Sequence, residues 1–186
     1  MAITKKQIRL CFDQWFYTLP QVCAIESPWC YLCLASLIDY MSAAAYPHLG
    51  SQRDRYIAFI ENYYPAKYRK FKYKGGNTDL PLQMYYILRN GLVHSFSLFP
   101  DQKGRINGGR ERSIVLVHRS NAAERRHLSE FSSPSAKDAA LFVAEDFLSD
   151  TTRAAYKMLN KAKKGSALWQ SVTKRFMDHP PIQWRS

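Results

Sequence analysis

An arginine, a carboxamide and a histidine stand close together in Arg89-Asn90-Gly91-Leu92-Val93-His94, and their types suit chemistry on an anionic oxygen. Imidazole titrates near neutrality and can give or take a proton. Guanidinium is permanently charged and offers a planar fork that matches phosphate, while a carboxamide donates and accepts at once. On an ideal helix Asn90 and His94 share a face, whereas Arg89 and His94 diverge by roughly 140°. Gly91 between them permits a kink or a close backbone approach. The plainer alternative is that His94 continues the apolar stripe Leu80, Met84, Ile87 and Gly91, with Arg89 an ordinary surface cation.

Spacing alone is weak, because an arginine followed by a histidine after four to six residues is expected about once by chance in a chain this rich in arginine. Arg112 and His118 repeat it, but with Ser113 after the arginine and inside a segment that reads as a strand. The Arg89 segment differs in having Asn90 next to the arginine and in following an apolar, helical run. In these features the chain resembles the HEPN superfamily, small helical bundles that include type VI CRISPR nucleases and many bacterial toxin and antiphage ribonucleases.

The resemblance implies a helical bundle over roughly residues 5–165 and metal-independent cleavage of RNA. The ribose 2′-hydroxyl attacks the adjacent phosphate, leaving a 2′,3′-cyclic phosphate and a 5′-hydroxyl. It assigns His94 to proton transfer, Arg89 to the scissile phosphate and its transition-state charge, and Asn90 to orientation. One histidine cannot easily act as acid and base in a single concerted step, so a homodimer with two motifs facing one cleft is expected. A toxin–antitoxin or antiphage setting is the biological expectation. HEPN toxins modified by a partner nucleotidyltransferase carry Tyr two residues after the histidine; Phe96 here implies no such modification. The alternative is a non-catalytic HEPN-like module that binds RNA or scaffolds a partner.

Charge supports an anionic partner. The 186 residues carry a formal net charge of +12. Residues 51–112 hold 12 basic against 5 acidic groups and residues 151–186 hold 8 against 1, whereas the stretches 1–50 and 113–150 carry no surplus of base. The densest piece runs from Tyr63 to Lys74, where Lys67, Arg69, Lys70, Lys72 and Lys74 interleave with Tyr68, Phe71 and Tyr73. Such cations can neutralise RNA phosphates while the rings stack on unpaired bases; equally, the rings can close a helix end and the lysines merely solvate it. The basic segment is expected to border the cleft that contains His94.

No cofactor or metal is expected. His48, His118, His127 and His179 are dispersed, and no glycine-rich phosphate fingerprint is present. Cys11, Cys23, Cys30 and Cys33 lie near the N-terminus in apolar helical surroundings and read as buried free thiols rather than zinc ligands. Glu145, Asp146 and Asp150 read as a solvated helix face. The longest uncharged apolar stretch, Ser27 to Ile38, has 12 residues, short of the ~18 of a membrane span. With no secretory signal in the first residues, a cytoplasmic protein is expected.

The elements that must position these groups are mostly helical, in one domain over residues 1–186. A helix from Lys5 to Leu19 is predicted to stop at Pro20. A second, capped by Ser27, runs to Ala45; a third opens on Ser51 and Asp54; a fourth spans Thr78 or Asp79 to Ser97. A β-hairpin insertion over 112–131 pairs Ser113–Arg119 with Arg126–Phe131, before a long helix from Ala136 to Lys163 and a last one after Gly165. The fold class is thus a mainly α, HEPN-like up-and-down bundle with a small β insertion.

Overall fold

The computed structural model describes residues 3–25, 28–73, 80–92, 113–122, 124–133 and 136–180. In chain order the elements are α1 (Lys5–Ala24), α2 (Trp29–Ala45), α3 (Gln52–Tyr63), α4 (Ala66–Lys70), α5 (Leu80–Gln83) and a π-helix (Met84–Leu92). Then follow β1 (Ser113–Val117), β2 (Glu130–Ser133), β3 (Ala136–Val143), α6 (Ala144–Lys161) and α7 (Ala167–Asp178).

Local chemistry accounts for the helix starts. The Thr4 hydroxyl accepts the Gln7 N–H, and the Gln7 side chain accepts the Thr4 N–H at 2.8 Å, closing a capping box on α1. Ser51 caps α3 through the Asp54 N–H, and Ser166 caps α7 through that of Trp169. Contrary to the sequence expectation, α1 does not stop at Pro20 but continues to Ala24. A proline removes one hydrogen bond and crowds the preceding turn. Pro20 is exposed, and burial of Leu19 and Cys23 on either side compensates.

The apolar α2 packs against α1, α3, the π-helix, α6 and α7, so the bundle is organised around it. Aromatic contacts seal one end: the fully buried Phe12 meets the rings of Trp15, Phe16, Tyr156 and Phe176. Burial of each such side chain contributes about 1.5–3 kcal/mol.

The β insertion differs from the expected hairpin. Its strand order is β1-β3-β2, with β1 parallel to β3 and β2 antiparallel to it. Ser113–Arg119 and Arg126–Phe131 therefore do not pair with each other; the strand between them is the segment 136–143, which the sequence assigned to a helix. Ala139, Ala140, Leu141, Phe142 and Val143 are all buried. A strand covered on both faces shows an unbroken apolar run rather than alternation, and such a run reads equally as a helix turn. The Tyr31 hydroxyl, on α2, reaches the carbonyls of Val117 and Phe142 at 2.7 and 2.8 Å and ties the sheet to the bundle.

Three of the four cysteines also depart from expectation, Cys11 alone being as expected. Cys23 and Cys30 form a disulfide across the α1–α2 connection, Cys11 is a buried free thiol, and Cys33 is exposed. The turn brings the first pair to a Cα separation of 4.9 Å, a proximity that spacing alone does not reveal. No described helix is long and apolar enough to cross a membrane.

Candidate functional site

Arg89 and Asn90 lie on the π-helix, with His94 outside the described residues. The i→i+5 bonding of a π-helix widens each turn; such segments are rare and frequently occur at functional sites. Arg89 is not an ordinary surface cation: its side chain is 12% exposed and 3.6 Å from Asp39 of α2. Its Nη1 donates to Asn90 Oδ1 at 2.9 Å, and its guanidinium lies 5.9 Å from the centre of the Tyr85 ring. Asp39 in turn accepts from Gln52 Nε2 at 3.0 and 3.2 Å, so three elements fix the guanidinium's partner.

Beneath this pair lies Tyr56 of α3, fully buried and edge-on to Tyr85 at 5.8 Å. Burial, and then the negative charge of Asp39, push its hydroxyl far above the ordinary tyrosine range, with Arg89 opposing. Among the described residues that hydroxyl finds no hydrogen-bond partner, and neither does the buried carboxamide of Gln83, the last residue before the π-helix. Buried polar groups are rarely left in this state. Tyr56, Gln83 and Asp39 were not legible as site residues, since nothing in their spacing connects them to Arg89.

A second polar cluster joins α4 to α6 and overturns the reading of Asp150 as part of a solvated face. Asp150 is 0% exposed. Its Oδ2 takes the Lys67 ammonium at 2.6 Å and the Tyr68 hydroxyl at 3.1 Å, while Oδ1 takes Arg153 at 2.5 Å. His127 completes the chain, with Nε2 2.8 Å from the Tyr68 hydroxyl and Nδ1 accepting the Val143 N–H at 3.1 Å. An amide can only donate, so the neutral ring carries its proton on Nε2, gives it to Tyr68, and Tyr68 gives its own to Asp150. Burial, and then Lys67, pull the His127 pKa from 6.5 down to about 4, against the attraction of Asp150. The sequence held one signal: Asp150 lies three residues after Phe147 and four before Ala154, on the buried stripe of α6.

The basic segment is split. Lys67, Arg69, Lys70 and Lys72 are exposed, and Lys74 lies outside the described residues. The rings beside them are not available for stacking, because Tyr63, Tyr64, Tyr68 and Tyr73 are all buried and the half-buried Phe71 packs on the core. Arg89 neighbours α3 through Tyr56 and Tyr85, while α4 packs against α5, which leads directly into the π-helix. Among the described residues no group of three His, Cys, Asp or Glu side chains could hold a metal. Comparison of the chain with family models, characterised proteins and solved structures finds no match.

Proposed function

We propose that this protein is a metal-independent endoribonuclease of the HEPN type, acting in a defence or toxin setting. The observation that carries the reading is the Arg89–Asn90 pair, half-buried on a π-helix and braced by Asp39. In the reaction, the ribose 2′-oxygen forms a bond to phosphorus as the bond to the 5′-oxygen breaks. His94 takes the 2′-hydroxyl proton or returns one to the leaving 5′-oxygen, and the His94 of a second copy in a homodimer does the other. Arg89 exchanges Asp39 for the phosphate as negative charge builds on it, with Asn90 holding the fork in place.

Purified protein should cleave RNA in EDTA and leave cyclic phosphate ends, visible as a mass difference from ordinary phosphate. His94→Ala and Arg89→Ala should each lower the rate about 10²–10⁴-fold. Full activity in His94→Ala would remove the assignment. The ion pair to Asp39, which already occupies Arg89, favours a second reading, a non-catalytic module; salt-sensitive RNA binding without turnover would select it.

A further inference from the structure

Cations from the two basic blocks, far apart in sequence, meet on one surface. Arg153, Lys157 and Lys161 follow one another at intervals of four along α6, about 6 Å apart on the axis, and all three are exposed. Lys67 of α4 and Arg153 bracket the same buried carboxylate, that of Asp150. Lys157 donates to the carbonyls of Asn62 and Tyr63, at 2.9 and 3.5 Å, where α3 turns into α4. Lys161 lies 5.2 Å from the centre of the Tyr63 ring. Burial, then the repulsion of Lys161 and of Arg69, lowers the Lys157 pKa, which puts Arg69 within electrostatic range of the same group. Like charges spaced four apart on a helix destabilise it slightly, and a polyanion relieves that repulsion.

What the surface lacks narrows the partner. Single-stranded RNA is gripped largely by rings that stack on its bases, but Tyr63, Tyr64 and Tyr68 here are 7%, 2% and 0% exposed. Base-paired RNA is read mainly through shape, phosphates and 2′-hydroxyls. We propose that Lys67 and Arg69 of α4 with Arg153, Lys157 and Lys161 of α6 form a docking face for the phosphate backbone of base-paired RNA. The face rests on the ribonuclease reading only in that it supplies that site with folded substrates.

The test uses the full chain carrying His94→Ala, so that RNA stays intact, with a duplex of about 16 base pairs and a uridine single strand of equal length. The duplex should bind at least tenfold more tightly. Arg69→Gln/Lys161→Gln, which strips no buried partner, should weaken it and reduce the slope of log affinity against log salt by about two. Arg69→Lys/Lys161→Arg should restore both, which separates lost charge from damaged folding. Equal or tighter binding of the single strand, or an unchanged salt slope in the glutamine variant, would overturn the proposal. The two readings fail separately. Duplex binding without cleavage by the wild-type chain sinks the nuclease and keeps the face; cleavage with an unchanged salt slope does the reverse.

Discussion

Protonation of His127 should set the acid limit of stability. Its Nε2 already carries a proton, engaged with the Tyr68 hydroxyl, so an added proton must go to Nδ1. There it confronts the Val143 N–H at 3.1 Å, turning an acceptor into a second donor. The folded chain resists that proton until about pH 4, whereas the unfolded chain takes it near 6.5. Because the folded value is the lower one, the stabilisation is complete above the unfolded value. It drains away as pH falls from there towards about 4, with no further loss below. A gap of that size is worth on the order of 3 kcal/mol, a large share of a typical domain's stability. Urea unfolding followed by tryptophan fluorescence between about pH 7 and pH 4 measures it. His127→Gln should be less stable at neutral pH, having lost the acceptor for Val143, but should have a flatter profile. The wild-type chain should lose roughly 3 kcal/mol more than the variant over that interval, the carboxylates common to both cancelling. Parallel profiles would refute the assignment of the proton to Nε2 and of a neutral ring to the folded state.

Two further substitutions separate stability from function. Tyr56→Phe removes a buried hydroxyl with no partner among the described residues, so thermal unfolding should show stability unchanged or raised by about 1 kcal/mol. A fall in RNA cleavage with stability intact would make Tyr56 a positioning residue for Arg89, whereas a loss of stability of about 1 kcal/mol or more would show an internal partner for the hydroxyl. Phe12→Ala, at the contact of four other rings, should cost about 3–5 kcal/mol by urea unfolding; a cost under about 1 kcal/mol would mean that the aromatic end is not packed as described.

How much was legible in the sequence depended on whether the signal was local. The cap at Ser51, with Asp54 three residues on, lies within one turn and is read directly from residue types. The apolar surround of α2 announced a central helix, and α2 does touch five other helical elements. β3 reads as a helix because a strand with both faces covered loses the alternation that identifies strands, and the Tyr31 and Tyr68 side chains that meet it at Phe142 come from far away in the chain. Pro20 was misread because a local penalty was weighed without the burial of Leu19 and Cys23. Asp150 was recoverable from the helical period. His127 was not, since its partners lie 59, 16 and 23 positions away at Tyr68, Val143 and Asp150.

Asp150 also explains how a chain of charge +12 holds two basic elements side by side. Left alone, Lys67 on α4 and Arg153 on α6 would repel. A carboxylate placed between them, with one oxygen for each cation, converts the repulsion into a clamp, and its complete burial keeps its negative charge off the surface. Desolvating an ion is costly, and the two cations together with the Tyr68 hydroxyl offset that cost. The network therefore does for Lys67 and Arg153 what Asp39 does for Arg89: a carboxylate on a bundle helix fixes the geometry of the cations around it.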